Sequence, residues 1–486
     1  MVARRDPVIV LGAGPAGLAL AARLLRRGDL DVPVTVIERQ PAVGGLAASF
    51  EFDGLYLDHG SHRLHPATDP EILADLRRLL GPDLLVRPRH GRIRLLGRYV
   101  RFPLSPLDLA TRLPPWFVAG VGRDAIAKRF RRGSPPPTTF AEALLAGLGP
   151  TICTSFYFPY ARKLWGLDPT DIAAEQAHRR VSADSIGKVI RKALSVVPGL
   201  GAARPPIFYY PRRGYGQISE ALAGEVRRLG GSILLSTQAR RIVIDGGFVR
   251  RLILATDRAG SGGAAGAESQ EIDATVVFST IPVTALARLL APPPPDPVTA
   301  SVAKLTYRGM VLLYLILDVE RFTPYDAHYF PEQESVFSRV SEPKNYSMAA
   351  EPVGRTGLCV EVPCTVGDEI WSASDEEIRR RVVGDLARVG LPVDGLVRTS
   401  FARRLPNVYP VYDRAFAQHL ATLSSHLAGI AGLVSLGRQG LFAHDNTHHT
   451  IEMAYRASEC LGPDLTWNAA QWRLYQEQFR SHVVED

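Results

Sequence analysis

Hydrophobic and polar positions fall into a clear order over the first forty residues. Val8-Ile-Val-Leu11 is an unbroken apolar run of strand length. After a glycine-rich turn, Leu18 to Arg27 is rich in Ala and Leu with polar residues on one side, as in a helix, and Gly28 stops it. A second apolar run, Val34-Thr-Val-Ile37, ends at Glu38. Strand, turn, helix and strand make a β-α-β unit, which predicts a parallel sheet. Further along, 140–200 reads as largely helical and 300–365 as strand-rich, the clearest strand being Val311-Leu-Leu-Tyr-Leu-Ile-Leu317. The Gly- and Ala-rich stretch around 260, between Leu252-Ile-Leu254 and Ala274-Thr-Val-Val277, predicts the tip of a surface hairpin. From Gly432 an apolar strand leads through a turn into a final helix that includes Ile451-Glu-Met-Ala454.

Composition narrows the picture a little. A chain of 486 residues is too long for one core, so two or three substructures are expected. There is no apolar run of about 18 residues, and hence no expected membrane-spanning helix. The N-terminal residues lack the apolar region and cleavage site of a signal peptide, which gives a cytoplasmic expectation. Cys153, Cys359, Cys364 and Cys460 lack metal-ligand spacing and are expected to be buried free thiols; Cys359 and Cys364, five apart, would point to opposite faces of one strand. The net charge of +8 favours anionic partners, although a general arginine bias gives the same number. No internal repeat and no nucleic-acid-binding module is present in the sequence.

The turn inside the β-α-β unit carries the first chemistry. In Gly12-Ala-Gly14-Pro15-Ala16-Gly17, the first glycine permits a sharp turn, the second lets backbone approach a pyrophosphate, and the third lets the helix pack on the sheet. The helix N-terminus adds free N–H groups and positive dipole for phosphates. Glu38, 21 residues after Gly17 and followed by Arg39, is placed to accept hydrogen bonds from a ribose. This is a dinucleotide site, and it does not by itself separate NAD from FAD.

The residues that follow make that separation. Gly44-Gly45-Leu46, then Tyr56-Leu-Asp58-His59-Gly60-Ser61-His62, resemble the flavin amine oxidase and protoporphyrinogen oxidase superfamily, in which the glycine doublet lies along FAD. Leu46 stands where that family usually has Arg. The resemblance is closer to the UDP-galactopyranose mutase-like branch and continues in motif order along the chain. It is carried by Gly60-Ser-His62-Arg-Leu-His65, Arg101-Phe-Pro-Leu104, Pro159-Tyr160-Ala-Arg-Lys163-Leu-Trp165-Gly166 and Tyr210-Pro-Arg-Arg-Gly214-Tyr215. Phe337-Ser-Arg339-Val-Ser-Glu342, Tyr409-Pro-Val-Tyr412-Asp413, and Gly437-Arg438 through Asn446-Thr447-His448-His449 to Met453 complete it.

The resemblance implies an α/β chain with a Rossmann-like FAD-binding domain of glutathione-reductase type, an inserted helical segment and an antiparallel-sheet substrate domain. The expected boundaries are 1–90, 205–285 and 395–486 for the discontinuous FAD domain, 91–204 for the helical cap, and 286–394 for the strand-rich substrate domain. FAD would be held by the fingerprint residues, Gly44 to Leu46, Gly60 to His62, Ala239, Gly437, Arg438 and Asn446 to His448. A helix beginning near Thr447 would aim its amides at the pyrimidine end of the flavin. His62, Arg339, Tyr409 and Asp413 are the expected catalytic residues. Tyr160, Trp165, Arg180, Asp184, Tyr215, Arg339 and Tyr412 would contact substrate. In the mutases the residue matching Arg339 grips a diphosphate; the bland alternative is an ion pair with Glu342. Asp184 stands where the mutases place a second diphosphate arginine, and a carboxylate there would repel a diphosphate by about 1–4 kcal/mol.

The expected activity is therefore FAD-dependent oxidation of a small organic or glycosylated metabolite, with redox-neutral sugar-ring isomerisation as the alternative. His444, His448 and His449 invite a metal reading, but no carboxylate or cysteine cluster completes one in the sequence, so no metal is expected. The stretch from Leu113 to Arg132 combines apolar bulk with a basic cluster; a solvated helix over the pocket is expected, with membrane-surface contact as the alternative.

Overall fold

The computed structural model describes residues 6–102, 106–130, 135–180, 206–256 and 268–484. Its nucleus is a five-stranded, wholly parallel sheet in the order Leu433–Ser435, Val276–Ser279, Val8–Leu11, Val34–Ile37, Ser232–Leu234. The predicted β-α-β unit is present: the helix Pro15–Arg27 starts at the Gly14-Pro15 step and ends at Gly28, whose φ of 71° only glycine adopts cheaply. Both faces of this sheet are covered, as a parallel sheet requires. One core joins Val8, Val10 and Val36 to Leu18, Leu222 and Ile451, and the other joins Ile9, Leu11 and Val277 to Leu286 and Leu423.

A second sheet has seven strands, in the order Val397–Pro410, Tyr307–Leu317, Thr356–Cys364, Arg339–Ser341, Ala327–Tyr329, Gly91–Leu95, Arg98–Phe102. Its two long inner strands are almost wholly buried because helix Asp375–Arg388 packs on one face and the hairpin Ser49–Phe52/Leu55–Asp58 on the other. Cys359 belongs to one of these faces and Cys364 to the other, and all four cysteines are buried and free. The hairpin 91–102 and the strand Val397–Pro410 hydrogen-bond into this sheet, so they go with the strand-rich unit and not with the helical segment or the dinucleotide unit.

The helical segment runs through Phe140–Leu148, a π-turn at Cys153–Tyr157, Phe158–Trp165 and Ala174–Arg180. Two expectations need correction. The hairpin around 260 pairs Phe248–Thr256 with Glu268–Asp273, because Val276–Ser279, wholly apolar apart from Ser279, is drawn into the buried parallel sheet. Helix Thr447–Glu459 is followed by a further helix, Ala469–Phe479, whose Trp472 and Phe479 close the first core.

Candidate active site

One cavity of about 880 Å³ runs along the join between the two sheets, near the upper end of the usual size for a cofactor or ligand site. At its first end lie Gly12, Gly14, Pro15, Ala16, Glu38 and Arg39. Gly12 has a φ of 100°, and a Cβ there would come within 2.4 Å of Thr280 Oγ1, so the turn admits no side chain. The first turn of helix Pro15–Arg27 carries no side-chain cap, so its amides are available to an anion in the cavity. Glu38 is fixed by two backbone amides, Ala13 N–H on Oε2 and Gln40 N–H on Oε1, both at 2.9 Å. Ala239 completes this end from the strand Thr237–Asp245.

The middle of the cavity is lined by Gly45, Leu46, Ser61 and His62. Asp58 fixes the backbone that carries them. Its buried carboxylate accepts hydrogen bonds from Ser49 Oγ (2.5 Å), Tyr210 Oη (2.5 Å) and the Tyr215 amide (2.9 Å), and its carbonyl accepts one from Tyr314 Oη. Burial pushes the Asp58 carboxyl up to about 6. His62 Nε2 lies 2.8 Å from the Leu46 carbonyl, so that nitrogen carries the proton and Nδ1 holds a lone pair. Burial, with the Arg339 and Arg438 charges beside it, pushes His62 down to about 3 and keeps it neutral.

At the far end Arg438, Asn446 and Thr447 line the wall. Arg438 donates to the carbonyls of Asp445 (3.0 Å) and Val408 (2.8 Å), tying the turn before helix Thr447–Glu459 to the strand Val397–Pro410. Tyr160, Tyr409 and Arg339 line the cavity from the substrate side. Arg339 is held by Glu361 and not by Glu342: its Nε donates to Oε1 at 2.9 Å and its Nη2 to Oε2 at 2.8 Å. Glu361 also accepts the Ser61 amide at 2.7 Å. Glu342 is buried among the Phe322 and Thr323 amides, Thr356 Oγ1 and Asn345 Nδ2.

A family model described as flavin-containing amine oxidoreductase matches residues 15–459. The chain belongs to the flavin-containing amine oxidoreductase family. Its cofactor is FAD. Among solved structures, a reduced UDP-galactopyranose mutase is similar over 99% of this chain and 100% of its own, with a TM-score of 0.79 and 20% identity. A putative protoporphyrinogen oxidase from Exiguobacterium sp. 255-15 is similar over 93% and 98%, with a TM-score of 0.70 and 19% identity. Indole-3-pyruvate monooxygenase YUCCA8 of Oryza sativa subsp. indica is 35% identical over 115 residues, 23% of this chain and 24% of that protein's length.

The residues present suit FAD. The uncapped helix start and the Gly14 backbone would take the pyrophosphate, Glu38 and Ala239 the adenosine end, and Leu46, His62 and Thr447 the ring end. Gly17 and Gly44 do not line the cavity but shape it: a Cβ on Gly17 would lie 2.0 Å from the Gly12 carbonyl, and one on Gly44 2.8 Å from Ala48 Cα. Gly60, with a φ of 101°, turns the chain into Ser61. His448 stands behind the wall, stacked on His65.

Several expected substrate contacts lie elsewhere. Trp165 is packed edge-on against Phe140 in the helical core. Tyr412 donates to the Phe442 carbonyl and stacks on Phe416 at 3.9 Å, and Asp413 Oδ1 caps the Ala415 amide ahead of helix Phe416–Ala428. Neither reaches the cavity, because burying the aromatic ring and satisfying the turn use both side chains. Tyr215 supports His62 from behind, edge-on at 5.4 Å. Arg180 ends the helix Ala174–Arg180, and Asp184 lies outside the described residues. Lys163, in the Trp-Gly motif, is a structural tie: its Nζ lies within hydrogen-bond distance of the carbonyls of Phe330, Glu332 and Phe337 and of Ser335 Oγ.

Glu361 and Arg403 are among the cavity residues that the motifs miss. The signal for Glu361 is a lone carboxylate inside the apolar run Leu358-Cys-Val-Glu-Val362. A charge in a wholly buried strand needs a partner or a task.

Proposed function

We propose that this chain is an FAD-dependent oxidoreductase that removes a hydride from a carbon of a small organic or glycosylated metabolite. The bound flavin supplies the two-electron acceptor, and dioxygen or another acceptor takes the electrons on. The observation that carries this reading is the Arg339–Glu361 pair. A guanidinium committed through two nitrogens to a carboxylate in the same cavity is poorly placed to grip a diphosphate, the task its match performs in the mutases. The pair instead presents a neutral, polar edge beside Ser61 on which a hydroxyl- or amine-bearing substrate can be oriented. His62, neutral and with a fixed proton, accepts a hydrogen bond through Nδ1 and does not act as an acid. Tyr160 and Tyr409 bound the substrate space and exclude water.

A second reading, redox-neutral isomerisation of a nucleotide sugar, is favoured by the cavity's charge. Arg39, Arg63, Arg89, Arg339, Arg403, Arg404 and Arg438 line it, against the carboxylates Glu38, Glu361 and Asp445. One experiment separates the two. Oxidised holoenzyme is mixed anaerobically with candidate alcohols, amines and sugars, and the flavin absorbance is followed. Bleaching without added reductant is expected, followed by reoxidation and acceptor consumption in proportion to product once an acceptor is admitted. Turnover of a nucleotide sugar only after dithionite reduction, with no acceptor consumed, would overturn the proposal.

A further inference from the structure

The strand Val397–Pro410 brings Arg403 from the second sheet to the cavity wall, where Gly45 and His59 also lie. Two contacts hold the side chain there. Its guanidinium sits over the Phe50 ring, 3.5 Å from the centroid. Its Nη1 donates to His59 Nε2 at 2.9 Å, so the His59 proton is on Nδ1, which donates to the Gly45 carbonyl at 3.3 Å. Burial, with the Arg403 charge beside it, holds His59 below its ordinary value, so the imidazole stays neutral and accepts. Gly45 in turn packs against Gly14, whose backbone would take the pyrophosphate: a Cβ on Gly45 would meet Gly14 Cα at 3.6 Å. Arg403, His59, Gly45 and Gly14 thus form one continuous line of contacts along the cavity.

Arg403 differs from its neighbours in charge balance. Arg404 is paired with Asp375, Arg339 with Glu361 and Arg63 with Asp326, whereas no carboxylate pairs with Arg403 among the described residues. The uncapped helix start and the Gly14 backbone offer dipoles but no formal charge, and Leu46, next to Gly45, brings none either.

We propose that Arg403 is a cation that binds the pyrophosphate of FAD, with His59 and Phe50 as the residues that position it. Each phosphate of a dinucleotide is negative at neutral pH. A guanidinium that commits only Nη1 to a protein acceptor keeps Nε and Nη2 for such oxygens. Because Arg403 belongs to the strand-rich unit, the cofactor would tie that unit to the parallel sheet. This inference needs FAD as the cofactor and does not depend on the reaction that FAD performs.

The test uses the full chain, stripped of FAD and titrated with FAD or with ADP-ribose, which carries the pyrophosphate without the flavin. Arg403→Gln should weaken both ligands by a similar factor, roughly 10–100-fold, and make FAD binding less sensitive to salt. Arg403→Lys should recover part of the loss. His59→Ala should cause a smaller loss, absent once Arg403 is already Gln. The absorption spectrum of bound FAD should stay as in the wild type. Arg403 is exposed, so folding should persist, and Arg403→Met, which keeps an apolar stem against Phe50, serves as a second variant. If ADP-ribose binds the wild type too weakly to measure, the salt dependence of FAD binding decides. Wild-type FAD affinity in Arg403→Gln would overturn the proposal, as would unchanged salt dependence. A loss confined to FAD, with ADP-ribose unaffected, would also overturn it and set Arg403 against the flavin ring or the substrate.

Discussion

Removing the Glu361 carboxylate tests the pair on which the functional reading rests. Arg339 and Glu361 are direct register partners on neighbouring antiparallel strands, and their side chains are only 14% and 4% exposed. Glu361→Ala removes both Arg339 hydrogen bonds and the acceptor for the Ser61 amide, leaving a guanidinium with little water. Breaking a buried pair by deleting one member costs about 3–5 kcal/mol. Arg339 borders a cavity that water enters, which lowers the expected cost to about 2–4 kcal/mol. Arg339→Ala strands the carboxylate with only the Ser61 amide and should cost a similar amount. The double variant removes both charges, so it should cost less than the two singles together, by about 2–3 kcal/mol. That coupling corresponds to roughly 30–150-fold in an equilibrium constant. The assay is urea unfolding of the four holoenzymes at one FAD concentration, followed by flavin fluorescence. If the single effects add to within about 0.5 kcal/mol, the two side chains do not depend on each other. Arg339 would then be available to an anionic substrate, and the argument for oxidation over isomerisation would fail.

Three further outcomes follow from the geometry. Gly12→Ala forces a Cβ to within 2.4 Å of Thr280 Oγ1 at a φ of 100°, a strain of about 1–3 kcal/mol before the clash is counted, so the purified variant should lose most of its flavin absorbance relative to protein absorbance. Lys163→Met leaves three carbonyls and a hydroxyl without their common donor; a loss of about 2–4 kcal/mol is expected, read as a lower melting temperature and faster proteolysis within 330–337. His328 accepts Arg92 Nε, and burial with that charge pushes it down to about 3, below its ordinary value of 6.5. The unfolded chain therefore binds the extra proton between those two pH values, so stability from this group is complete above 6.5 and is lost as pH falls toward 3. His328→Gln should flatten the acid limb of a stability–pH curve, and an unchanged limb would contradict the assignment.

The parts of the site that are legible in the sequence are those built by local chain geometry. Gly12, Gly14 and Gly17 act within one turn, and Asn446 and Thr447 within one helix start, so their spacing alone carries their meaning. Trp165, Tyr412 and Asp413 belong to equally recognisable motifs, yet the structure packs them in a core or a turn. A motif reports that a residue is constrained, and a cavity wall and the layer behind it constrain an aromatic ring in the same way.

Glu361 shows what spacing cannot reach. From the sequence, Glu342 is the obvious partner for Arg339, three residues away. An odd separation in extended chain sends two side chains to opposite faces, so the near acid is the wrong one. The right one is 22 residues on, brought opposite Arg339 by the pairing of Arg339–Ser341 with Thr356–Cys364. The same holds for the partners of the buried Asp445. Asp445 stands directly after His444 in sequence, yet the fold turns toward it His449, four residues on, and His482, from beyond the next helix. In both cases the chemistry depends on which distant strand or segment arrives, and that is decided by burial of the apolar faces around it, the two long strands of the second sheet in one case and the Trp472–Phe479 face in the other.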